Sequence, residues 1–164
     1  LSLRRLLAAA VATLGLAATA QAQAPTHLDG TWVLNVARSD YGDFPGPNAE
    51  TLAIRSDGAA IHMKVASKVR RSTRTYTLDL PLDGSEVRFP LSGDIRVGTA
   101  ILRSAKASWQ GGALVVSETI QHMSEMTELE RAYTRSADGR SLTEQTTPKG
   151  GEVQSTLVFD RTGG

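Results

Sequence analysis

The chain has no cysteine. It therefore has neither a disulfide framework nor a lipid-modified cysteine, and its stability must come from burial and a closed ladder of hydrogen bonds. Net charge is also small: the 164 residues sum to +1. Arg4 and Arg5 lie in a leader-like segment without acidic residues, so the remainder carries one net negative charge and nucleic acid is a poor partner. No amphipathic helix of useful length, nucleophile motif, phosphate-binding loop or metal-ligand spacing is present, and no cofactor or metal is expected. The one long apolar run, residues 6–20, is too short to span a bilayer.

That run follows the two arginines and precedes small residues at Ala20, Ala22 and Ala24, the pattern of a signal peptide. Cleavage after Ala22 is favoured, because cleavage after Ala24 would put Pro25 just past the cut; an uncleaved membrane anchor is the alternative. The leading Leu1 suggests a non-standard start codon and hence a bacterial reading frame. The expected organisation is a signal peptide over residues 1–22 and one domain over residues 23–164, periplasmic or secreted, with no membrane span after cleavage.

From Gly30 onward the pattern is strand, tight turn, strand. Residues 31–36 form a first strand, and residues 37–48, with Ser39-Asp40-Tyr41-Gly42 and Pro45-Gly46-Pro47, form an ordered loop or lid. Asp57-Gly58 predicts a hairpin pairing Ile54 with Ile61 and Leu52 with Met63. A turn near Val69-Arg70 then pairs Val65 with Arg74, Met63 with Tyr76 and Ile61 with Leu78. Asp83-Gly84 sets Leu80 against Val87, Leu78 against Phe89 and Asp79 against Arg88. All three hairpins put their apolar residues on one side.

Residues 91–99 are ambiguous, with a short strand possible at residues 95–97. Gly111-Gly112 pairs Trp109 with Leu114, Ala107 with Val116, Ala105 with Glu118 and Arg103 with Ile120. A turn within residues 123–126 places Glu118 opposite Arg131 and Val116 opposite Tyr133. Asp138-Gly139 pairs Tyr133 with Glu144 and Arg135 with Leu142. A last strand over residues 152–160 turns Val153, Leu157 and Phe159 inward. The result is an all-β, antiparallel up-and-down meander of about 8–10 strands, better closed into a barrel than left with exposed edges. A β-sandwich is the alternative.

Asp29-Gly30-Thr31-Trp32 through Asn35, then Ala37, Ser39 and Asp40, resembles the opening of secreted bacterial lipocalin-like (calycin-type) proteins. The likeness continues in residues 105–112 and 133–139 and covers most of the mature chain through short motifs. It implies a lipocalin-like barrel that holds a small apolar or amphipathic ligand. It also implies that Trp32, two residues after Gly30, closes one barrel end beneath an arginine near the last strand, for which Arg161 is the match. Such a cation over an indole contributes roughly 0.5–2 kcal/mol. The chain departs from larger lipocalins in lacking a disulfide and an evident C-terminal helix.

The informative anomaly is charge on the expected inner face: Arg103, Glu118, Arg131 and Glu144 come from four successive late strands and alternate in sign. Buried charges are costly unless paired or wet, so this row is either an internal salt-bridge ladder or part of a hydrated cavity. In the second case Arg103 or Arg131 would hold an anionic head group, with Trp109, Tyr76, Tyr133 and Leu114 around the apolar body. His122, two residues beyond Ile120 on the same expected face as Glu118, raises a general-base alternative for a barrel enzyme of isomerase, cyclase or hydrolase type. The His62-Met63 and His122-Met123 pairs do not chelate one metal ion, because adjacent strand residues point to opposite faces. Three classes follow: an exported binding protein for an amphipathic or anionic-headed small molecule, a barrel enzyme, or a non-catalytic envelope structural or interaction protein.

Overall fold

A computed structural model describes residues 27–43, 45–90, 95–97 and 99–162. The leader and cleavage position expected within residues 1–22 lie outside the described residues. Eleven strands follow one another: β1 Gly30–Leu34, β2 Ala49–Ser56, β3 Ala60–Val69, β4 Ser72–Pro81, β5 Val87–Arg88 and β6 Arg96–Val97, then β7 Ala100–Gln110, β8 Ala113–His122, β9 Glu125–Arg135, β10 Ser141–Pro148 and β11 Ser155–Thr162. A 3₁₀ turn, Val36–Arg38, follows β1, and Asn35 caps it by accepting from the Arg38 backbone N–H.

All pairings are antiparallel, in the order β4-β3-β2-β1-β11-β10-β9-β8-β7-β5, with β6 also on β7. The first and last strands meet, Trp32 opposite Arg161 and Leu34 opposite Phe159. β4 and β5, at the two ends of this order, do not pair. The architecture is thus a nearly closed meander barrel, and most of its strand edges are satisfied by neighbours.

Apolar residues expected on the inner side are buried there. Ile54, Ile61, Met63, Leu80, Leu114 and Phe159 are all nearly inaccessible and belong to one core cluster. The strand partners differ from expectation in a regular way. Ile54 pairs with Met63 and Leu52 with Val65, because Asp57 and its neighbours make a longer turn in which the Asp57 carboxylate accepts from the N–H groups of Ala59 and Ala60. Val65 pairs with Tyr76, Met63 with Leu78 and Ile61 with Leu80, because the turn centres on Arg70-Arg71, with Arg70 at φ 57°. Arg131 lies opposite Val116, and Tyr133 opposite Leu114, because the turn centres on Met123-Ser124 with Met123 at φ 54°. Moving a turn centre by one residue moves every partner by two, so the inward face survives each correction.

Other corrections change the topology. The hairpin expected at Asp83-Gly84 does not form: Val87 and Arg88 pair with Ala105 and Ser104 of β7, and Asp79 bonds His62 of β3 instead of facing Arg88. Arg103 does not pair with Ile120. The ladder shifts between Leu102, which takes that place, and Ser104, so Arg103 occupies a β-bulge. Val153 precedes β11 and is exposed rather than inward, whereas Leu157 and Phe159 are buried as expected. The pairings of Trp109 with Leu114, Ala107 with Val116, Ala105 with Glu118, Tyr133 with Glu144 and Arg135 with Leu142 are as expected.

Candidate functional site

At one barrel end, Trp32 is fully buried and its indole N–H donates to the Leu28 carbonyl at 2.8 Å. The Arg161 guanidinium lies 5.6 Å from the Trp32 ring centroid and also donates to the Asp29 carbonyl. Gly30 has φ +143°, and a Cβ there would come within 3.1 Å of Arg161 Nε, so glycine serves both the backbone and the approach of the arginine. Gly30, Trp32 and Arg161 therefore form one packed end.

Away from that end the interior turns polar. Arg131 on β9 lies between β8 and β10, and Glu118 and Glu144 each stand diagonally across from it. Its Nε donates to Glu118 Oε2 at 2.9 Å and its Nη1 to Glu144 Oε1 at 2.5 Å. Both carboxylates are almost completely buried, and the Arg131 side chain is mostly so. Burial alone would lower the arginine pKa, but the Glu118 and Glu144 carboxylates overcome it and hold the guanidinium well above its ordinary range.

A third carboxylate joins this pair. β2 begins at Ala49, directly after the expected loop of residues 37–48, and brings Glu50 onto the inner face opposite Ser67. Burial, and then the Glu144 charge, push the Glu50 carboxyl up to about 7, while a hydrogen bond with Ser67 and the Arg131 charge act the other way. Arg74 and Tyr76 of β4 follow on the same face, opposite Ser67 and Val65. Above Glu50 lies the segment after the 3₁₀ turn. Its Tyr41 packs against the core and donates to the Pro47 carbonyl at 3.0 Å, and burial together with the Glu50 charge raises its phenol pKa.

Two phenols complete the polar interior. Tyr133 is 5% exposed, and its pKa is held well above its ordinary value by burial and by the Glu144 charge; Tyr76 is raised for the same leading reason, burial. The Glu144, Arg131 and Glu118 charges all act on the Tyr133 hydroxyl. Trp109 and Leu114 continue the row from Tyr133, Leu114 fully buried and Trp109 partly so.

Tyr76, Trp109, Leu114, Glu118, Arg131, Tyr133 and Glu144 are thus gathered inside one barrel. Arg103 is not among them: the bulge turns it to the outer face, where its Nε donates to Gln121 at 2.7 Å. His122 is exposed at the β8–β9 turn opposite Glu125 and does not join the buried Glu118. Glu50 escaped the sequence reading because Pro47-Asn48 before it suggests loop; its spacing of two from Leu52 and four from Ile54 was the signal available. There are two concavities. One of about 560 Å³ is lined by Lys106, Ser117, Glu128 and Glu130 of β7 to β9 and also reaches Glu118, and one of about 470 Å³ lies beside Gly42 and Gln154.

A meander closed by its first and last strands, with one unpaired gap and a polar cluster among apolar walls, matches known barrels. The fold is that of lipocalin-like barrels. A secretory abundant heat soluble protein from Ramazzottius varieornatus superposes with a TM-score of 0.58 at 15% identity, over 82% of this chain and 95% of that one. Human cRBP IV superposes at 0.57 with 18% identity, over 84% of this chain and all of that one. No protein-family model matches the chain, and no curated protein does. This lipocalin-like barrel has no helix among its described residues long and apolar enough to cross a membrane.

Proposed function

We propose that the mature protein is an exported small-molecule carrier that holds an amphipathic ligand inside the barrel. The polar end of the ligand lies at Glu50, Glu118, Arg131 and Glu144, and its apolar body lies against Tyr76, Trp109 and Leu114. The observation that carries this reading is the buried cluster of Glu118, Arg131 and Glu144, with Glu50 beside it, among otherwise apolar barrel walls. Buried charges of this kind are costly unless paired or solvated, and a ligand's polar group would add a partner to the cluster. A cellular retinol-binding protein of similar fold carries a small molecule in its name. The leader pattern of residues 1–22 supports action in the periplasm or outside the cell.

The chemistry does not favour an enzyme. Arg131 is committed to two carboxylates, and His122 lies at the surface. A second reading, an interaction protein working through its outside, draws on the 560 Å³ concavity lined by residues of β7 to β9. A neutral environment-sensitive dye separates the two. Saturable binding of one dye per chain, competed by dodecanol and accompanied by a change in tryptophan emission, supports the carrier. Absence of saturable binding would leave the outer face as the working surface.

A further inference from the structure

Resting on the carrier reading, the charge balance inside the barrel says what kind of head group it takes. Three carboxylates, Glu50, Glu118 and Glu144, face the interior. Arg131 is their principal cation, and both of its bonded nitrogens are taken by Glu118 and Glu144. Even with the half-buried Arg74 counted, three carboxylates meet two guanidinium groups. With Glu50 ionised, an anionic head group would add a further negative charge to a buried cluster that is already negative, and such charges are costly in a low-dielectric interior. A cation would balance it.

We propose that the barrel binds a ligand with an organic cationic head, an alkylamine or alkylammonium, seated among Glu50, Glu144 and the phenols of Tyr76 and Tyr133. Carboxylates supply the charge, and aromatic rings beside a cation add attraction that is strongest where water is excluded. The Tyr133 hydroxyl oxygen can accept a hydrogen bond from a protonated amine. A metal ion is the weaker alternative, because among the described residues no group of three or more histidine, aspartate or glutamate side chains is spaced to hold one.

Glu50 gives the proposal its pH signature. The groups that act on it are Glu144 from β10, Arg131 from β9, the Ser67 hydroxyl from β3, Tyr76 from β4 and Tyr41 above. Its carboxyl is protonated below about pH 7 and must ionise to balance a bound cation. Cation binding therefore releases a proton, and affinity rises with pH by about tenfold between pH 6 and 8, one proton being exchanged.

The test uses three probes with one apolar body: dodecyltrimethylammonium, which does not titrate, dodecanoate and dodecanol, each kept below its micellar concentration and titrated calorimetrically into the mature protein. The expected result is that the ammonium binds at least tenfold tighter than dodecanoate at pH 8. That preference should shrink toward pH 6 and disappear in Glu50→Gln while dodecanol affinity stays within about twofold. In Tyr133→Phe, dodecylamine should lose several-fold while the quaternary ammonium is unaffected. Dodecanoate binding as tightly as the ammonium, or an unchanged ammonium affinity in folded Glu50→Gln, overturns the cationic head and leaves the carrier standing. If none of the three probes binds, the carrier reading fails and the head group with it.

Discussion

Replacing Arg131 alone and replacing it together with its two partners should have opposite effects. Arg131→Met leaves Glu118 and Glu144 buried without their cation, and breaking such a pair typically costs about 3–5 kcal/mol. Changing Glu118 and Glu144 to Leu at the same time removes the desolvated charges altogether and should return stability to near the wild-type value or above it. Urea unfolding of both variants checks this, and a triple variant as weak as Arg131→Met would mean that the cluster is a net stabiliser. Glu50 adds a pH dependence of known sign. Its folded pKa is raised from 4.5 to about 7, so the fold prefers the protonated form. Its contribution is therefore intact below about pH 4.5, is lost as pH rises to about 7, and is constant above that. The full shift corresponds to roughly 3 kcal/mol. Glu50→Gln should accordingly melt higher than the wild type at pH 8 and close to it at pH 4.5. At this scale the alternation of Glu118, Arg131 and Glu144 among apolar neighbours was legible in the sequence. Arg103 was misplaced because a β-bulge leaves no mark in a period-two pattern, and Glu50 was missed because the residues before it read as loop.

Hairpins show how far local pattern reaches. Period-two alternation assigns each residue its face, and the barrel obeys it in β2, β3, β4 and β7 to β10. Register depends on the turn centre, which a left-handed Arg70 or Met123 can occupy as well as glycine. That is why three sets of partners lay two residues from their expected places. β5 went further astray: Val87 and Arg88 pair with Ala105 and Ser104 of β7 instead of returning along β4. The segment over the Glu50 end is held by close packing. A Cβ on Gly46 would fall 1.9 Å from the Tyr41 ring, so Gly46→Ala must expel that ring and break its bond to the Pro47 carbonyl. The expected cost is about 1–3 kcal/mol, together with faster hydrogen exchange confined to residues 40–50. Unchanged exchange there would show that the loop repacks freely.

For the whole molecule, closure follows from an accounting that no single hairpin contains: a long meander without disulfides satisfies its outermost strands best by pairing the first with the last, as β1 and β11 do. Trp32 and Arg161 pack one end and leave the polar cluster elsewhere in the interior, so stability and binding are served by different parts of one barrel. The sequence pattern and the lipocalin-like motifs were sufficient for this architecture; the ligand was not legible, because charge balance inside a barrel depends on which residues face inward together. Native mass spectrometry of the protein purified from the periplasm of an expressing bacterium, with organic extraction of whatever accompanies it, tests the carrier most directly. The account predicts one reproducible small mass per chain, amphipathic and basic on extraction, that is lost when Glu50 and Tyr133 are replaced by Gln and Phe in a chain that still folds. A chain that carries no small molecule and takes up none when challenged would contradict it.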